Sequence, residues 1–225
     1  MIKKDIRAAE LYKTMFTVAI PIVIQNLIGN SLTIVDTVMI SSLGEASVAA
    51  VGIAGRLQFL FVLITFGFYS GAGIFMAQYF GSRNFERMRV TMALQLVLGI
   101  MSSAVFMTVA LVFPRWYMSI FSKDPQVIEL GIGYLKYLGW GFGMHAISYA
   151  YIVSLRSIRD SLYPMYVSAI ALIANTVLNY GLIFGNFGLP QLGVEGAAIA
   201  TTISRFIEAG FMIYSVYFGS RFVLR

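Results

Sequence analysis

The chain has 225 residues, of which 59% are hydrophobic and 12% charged, with a mean hydropathy of +0.81. A soluble domain carries about 25% charged residues, so the solvent for most of this chain is lipid. It has no cysteine and a net charge of +6; disulfide and thiolate chemistry are excluded, and the charges sit in short clusters between apolar runs, which argues for membrane flanks and against nucleic acid.

Six segments meet the length of a spanning helix, roughly 20 apolar residues. In chain order they are about 14–42, 46–80, 88–113, 127–155, 163–186 and 194–218, leaving tails at 1–13 and 219–225. The basic start (Lys3, Lys4, Arg7, Lys13) precedes an apolar run too long for a cleavable signal. The predicted connections are SLGEAS, GSRNFERMR, PRWYMSIFSKDPQ, RSIRDSLYP and GNFGLPQLG. Lys and Arg number eleven on the side of both tails and the second and fourth connections, and two (Arg115, Lys123) on the other. The positive side faces the cytoplasm, so a multi-pass protein of the cell's inner (plasma) membrane with both termini inside is expected.

The first span places Pro21 within an apolar run, where it removes a backbone hydrogen bond and bends the helix. Gln25, Gly29, Leu32 and Asp36 then share one face. Asp36 stands out, because a carboxylate in a span costs about 2.5–3.5 kcal/mol and no opposite charge lies at i±3 or i±4. The second span offers Arg56 as a rival partner, since short connections make neighbours; an Asp36–Arg56 pair is one answer, and Gln25 and Arg56 are candidate site-lining or substrate-contacting residues. In the fourth span Lys136 is expected to snorkel outward. His145 is either a satisfied packing residue or a proton relay. Glu208 sits three residues after Arg205 in the sixth span, as a local ion pair does.

Depth brings four polar positions together. Asp36 lies about 6 residues, or ~9 Å, below the outer end of its span. Asn179 and Asn175, on one face of the fifth span, lie about 7 and 11 residues down, and Thr201 and Thr202 about 7 or 8. Carboxylate, amide and hydroxyl oxygens are hard ligands that suit Na+ or a shared proton; the same side chains also serve as interhelical hydrogen-bond glue. No metal-ligand cluster, Ser-His-Asp arrangement or Gly-rich phosphate loop appears, so nothing argues for an enzyme or a cofactor.

Five stretches resemble, in order, the multidrug and toxic compound extrusion (MATE) family of secondary transporters: PIVIQNLIGNSLTIVDTVMISSLGEASVAAVG, GIFMAQYFGSRNFERMR, YIVSLRSIRDSLYPMY, NTVLNYGLIFG and GVEGAAIATTISR. The resemblance implies an all-α integral membrane fold, a six-transmembrane-helix bundle forming one lobe of a MATE-type transporter. It implies a Na+- or H+-coupled antiporter exporting small organic cations such as drugs. Asp36, Asn175, Asn179 and Thr201 match the family's coupling site, with Na+ as a candidate ion at Asp36, Asn175 and Asn179, and Pro21 matches its hinge. Asn179 stands where some relatives have Asp, which lowers the site's charge. Because the family has two such lobes, a second six-helix lobe (a split partner or a second copy) is expected beside this one, besides membrane lipid. A lipid or lipid-linked sugar flippase of the same superfamily, or a non-transporting subunit or incomplete gene product, are the alternatives.

Overall fold

A computed structural model describes residues 2–218, with side chains from Tyr12 onward except Thr14 and Leu32. The expected tail 219–225, the side chains of Lys3, Lys4, Arg7, Arg221 and Arg225, and the place of Leu32 on the Asp36 face lie outside the described residues.

Among the described residues seven helices follow one another: α1 (Ile2–Ser41), α2 (Glu45–Gly81), α3 (Phe85–Val112), α4 (Pro114–Phe121), α5 (Pro125–Ser157), α6 (Leu162–Phe184) and α7 (Gly193–Tyr217). Six are long, in the order of the six predicted spans. The seventh, α4, occupies the third connection, which reads as a loop in the sequence. Pro114 opens it at a position where no amide donor is missed. Helix ends are set by local chemistry. Asn84 Oδ1 accepts from Arg87 N at 3.2 Å to start α3, and Asp124 Oδ1 accepts from Gln126 N at 2.8 Å to start α5. Gly185, in the left-handed region at φ 76°, ends α6.

Five of these helices are long and apolar enough to cross a membrane: α1 from Met15, α2, α3, α6 and α7. The fourth expected span, α5, falls short on apolarity because Gly, Tyr and Lys136 stand among its apolar residues. Its position explains this. Helix α5 is the hub, packed on α2, α3, α4 and α7, so much of its surface meets protein, where small and polar residues give close approach and hydrogen bonds. Tyr69 Oη donates to Ala146 O at 2.9 Å, and Gln95 Nε2 to Ala150 O at 3.0 Å.

The core is small-residue packing with aromatic fillers. Ala50, Ala54, Ala150, Ala198 and Ala200 are fully buried, and Phe61 meets Phe106 and Phe142 edge to face at 5.4 and 5.1 Å. Gly196 makes the tightest crossing: a Cβ there would stand 2.5 Å from Leu182 O, so α7 reaches α6 only because residue 196 has none. Helix α1 departs from the expectation that consecutive spans are neighbours. It packs chiefly on α6 and barely on α2, because a cavity lies between the first two helices. Pro21 is buried within the continuous helix α1.

Candidate cation site and the adjoining cavity

Three helices bring the depth-matched residues together. The Gly196 crossing holds α7 against α6, and Asn175 Nδ2 donates to Thr201 Oγ1 at 3.4 Å. One turn further along α6, Asn179 Nδ2 donates to Asn175 Oδ1 at 3.0 Å and also to Asp36 Oδ1 on α1. Turned over, the Asn175 amide reaches the carboxylate itself: its nitrogen then donates to Asp36 Oδ1 at 2.9 Å and its oxygen accepts from Thr201 N at 3.3 Å. Asn175 and Asn179 are wholly buried, and Thr201 nearly so. Thr202, at the same depth, turns away and donates to Tyr137 O on α5 at 2.9 Å.

Asp36 has no basic group within salt-bridge distance among the described residues. A hydrogen bond to a charged group contributes about 1.5–3 kcal/mol, comparable with the cost of a carboxylate in a span, so the Asn179 amide goes far toward holding the charge. The geometry leaves more than a closed hydrogen-bond ring. Asn179 Oδ1 is buried and accepts from no donor among the described residues. A carboxylate beside an unused carbonyl oxygen and a hydroxyl is a set of hard oxygen donors that fits a monovalent cation or a proton. Among the described residues no three His, Asp or Glu side chains converge, so the acid stands alone among neutral donors.

The site opens on a cavity of about 350 Å³ between α1 and α2, whose walls include Gly29, Thr33, Asp36, Gln58, Tyr134 and Arg205. Arg56 is not among them, which corrects the expectation of an Asp36–Arg56 pair and of a site-lining Arg56. The stripe of α2 that faces the cavity runs through Val48, Gly52, Gly55 and Gln58, and residue 56 falls on the neighbouring face. Arg56 is exposed there, its guanidinium 5.2 Å from the centre of the Phe121 ring of α4. The wall residues Thr33, Gln58 and Tyr134 carry no charge and escape notice in sequence; of the three, only Thr33, one turn before Asp36, had a spacing that could have found it.

Gln25 lines a second cavity of about 450 Å³, which shares Gly29 and Arg205 with the first. It is the centre of a polar chain across four helices. Arg156 Nη2 of α5 donates to Gln25 Oε1 at 2.7 Å, Gln25 Nε2 donates to Ser168 Oγ of α6 at 2.8 Å, and Ser168 Oγ donates to Glu208 Oε1 of α7 at 3.0 Å. Arg205 completes it with a 3.1 Å bond to Glu208 Oε2, the expected local ion pair. His145 lines both this cavity and a small void near Phe61, stacked on Tyr149 at 6.0 Å. Lys136 is exposed, 5.5 Å from the Tyr137 ring.

A helical bundle with this hydropathy, an intramembrane acid and cavities open between its helices defines a multi-pass membrane protein. The MatE family profile matches residues 21–181, and the chain belongs to that family, whose members are transporters and not enzymes. It is 28% identical over 212 residues to the probable multidrug resistance protein YoeA of Bacillus subtilis (strain 168), covering 94% of this chain and 45% of that protein. It is 30% identical over 209 residues to the multidrug resistance protein NorM of Burkholderia vietnamiensis, covering 91% and 44%. In fold it is similar to the Vibrio cholerae MATE transporter VcmN in the bent form, with a TM-score of 0.84 at 22% identity over 95% of this chain and 48% of that one. The chain spans about half the length of the curated relatives it matches.

Proposed function

We propose that this chain is one lobe of a cation-coupled multidrug exporter and that Asp36 takes up the coupling ion. One observation carries the reading: a carboxylate without an ion pair among the described residues lies beside a buried amide oxygen, Asn179 Oδ1, that none of them uses, at the wall of a cavity. Asn175 and Thr201 complete the donor set. A single negative charge among neutral oxygens suits Na+ or one proton. Occupancy of that site changes the charge that an organic cation in the same cavity meets, so ion and cargo compete through Asp36. The tyrosine ring of Tyr134 in the wall suits such a cation.

Pro21 gives α1 a point of bending. The helix beyond it carries both Gln25 and Asp36, so an ion at Asp36 acts on a segment held to the bundle mainly through α6. A second six-helix lobe, from a split partner or a second copy, completes the cleft; the half-length match and the exposed apolar residues of α1, such as Leu27, Ile34 and Val38, support this. The basic flanks set both termini in the cytoplasm of an inner-membrane protein. The relatives' multidrug names and the outward turn of Arg56 favour drug export over the flippase alternative.

In an assembly with a second six-helix lobe, Asp36→Asn is expected to abolish Na+- or H+-coupled efflux of a cationic dye at normal expression. Unchanged efflux overturns the assignment.

A further inference from the structure

The second cavity holds a set of unused polar groups that the Asp36 site does not explain. Its α5 wall is a stripe at helical spacing: His145, Ser148, Tyr149, Ile152 and Arg156. Three atoms of that stripe are buried and have no hydrogen-bond partner among the described residues: His145 Nδ1, Ser148 Oγ and Arg156 Nε. Buried polar groups in folded proteins are almost always satisfied, by protein, water or ligand. Ser148 is the sharpest case, at 1% exposure. Buried hydroxyls elsewhere in the bundle bond back to a carbonyl one turn earlier: Thr65 to Phe61 at 2.8 Å, Ser154 to Ala150 at 2.8 Å and Ser204 to Ala200 at 2.9 Å. The Ser148 hydroxyl does not; it remains free to donate into the cavity.

The charges point to the kind of group it receives. Glu208 is already engaged by Arg205 Nη1 at 3.1 Å and by Ser168 Oγ at 3.0 Å. Arg156 has no carboxylate within salt-bridge distance among the described residues. Among the described residues its guanidinium makes one hydrogen bond, to a neutral amide oxygen, that of Gln25. The cavity therefore carries one uncompensated positive charge and spare donors. A guanidinium edge is the chemistry that holds a carboxylate, through charge-assisted hydrogen bonds, and the Ser148 hydroxyl, two turns earlier on the same wall, is a further donor toward which the Arg156 side chain leans. We infer that this cavity is an anion-accepting subsite, distinct from the Asp36 site, that binds the carboxylate of an organic acid or zwitterion with Arg156 as anchor and Ser148 as donor.

The proposal deepens the exporter reading by naming a carboxylate-bearing ligand, yet it is tested by binding alone. The probes are rhodamine 110, which has a free carboxylate, and rhodamine 123, its methyl ester, read by fluorescence anisotropy on the purified chain in detergent. The free acid is expected to bind about tenfold tighter than the ester, as a hydrogen-bonded charge does. Arg156→Gln brings the two dyes to equal affinity, with the ester's binding little changed. Should that variant fail to fold, Ser148→Ala, which removes an oxygen that makes no other bond, decides: it lowers the preference about threefold. Equal binding of both dyes to the unaltered chain overturns the subsite. So does a preference that survives Arg156→Gln or, where only the serine variant folds, Ser148→Ala. Asp36→Asn acts on the cation the two dyes share and moves both together, so failure of the cation reading and failure of the anion subsite are told apart.

Discussion

The two cavities that meet at Gly29 are built on opposite electrostatic plans. In the Asp36 cavity the acid bonds to neutral amides, with one amide oxygen left over and Arg205 in the wall but outside salt-bridge distance. In the Gln25 cavity an acid and a base pair within one helix, and their bonds continue through Ser168 and Gln25 to a second arginine. The second arrangement ties α1 to α5, α6 and α7. The first ties α1 to α6 and, through Asn175 and Thr201, to α7, and leaves a charge that an external ion can neutralise. Polar groups in lipid thus do two different jobs a few turns apart on the same helix, and an opposite charge within salt-bridge distance separates them.

That contrast is open to direct attack through stability. Glu208→Gln leaves the Arg205 guanidinium without its acid and is expected to cost about 1–3 kcal/mol, the penalty of an unsatisfied buried polar group. Asp36→Asn removes a charge that burial opposes, and in Na+-free buffer it should be neutral or raise the melting temperature. Thermal unfolding of the two purified variants reads both signs; a shift in the same direction would break the comparison. Gln25→Leu cuts three hydrogen bonds at once, including the one to Pro164 O at 3.3 Å. A loss of about 1–3 kcal/mol is expected, with faster amide hydrogen exchange in α1 and Na+ stabilisation retained. Loss of the Na+ response in this variant would mean the two clusters are one. The smallest effect belongs to Arg56→Gln. Only an exposed contact with Phe121 is lost, about 0.5–1 kcal/mol, and dye affinity in the Asp36 cavity should be unaltered. A tenfold fall in that affinity would return Arg56 to the site.

Much of this was legible in the chain itself. Helix positions followed from apolar run length, and the grouping of Asp36, Asn175, Asn179 and Thr201 followed from depth, because a helix converts residue number into height at a fixed rise. Height says nothing about azimuth. Arg56, one short connection away from Asp36, faces α4 instead, while Thr201 and Thr202 were inseparable until Gly196 fixed the rotation of α7 against α6. The short helix α4 escaped because eight residues with Pro at the start read as a loop. Helix α5 was read as a span from its length, yet the long helix most enclosed by protein is the one that falls short on apolarity.

By itself the sequence determined that this chain is a membrane bundle with an expensive acid in its first span, since hydropathy and charge spacing are local properties. The tertiary structure decided which partners answer that acid and which cavity each polar group faces. Those depend on helix rotation and on close approach at residues such as Gly196, and no local pattern encodes either one. It also decided that Arg156, in sequence one more flanking charge, lies at the wall of a cavity with its Nε unused.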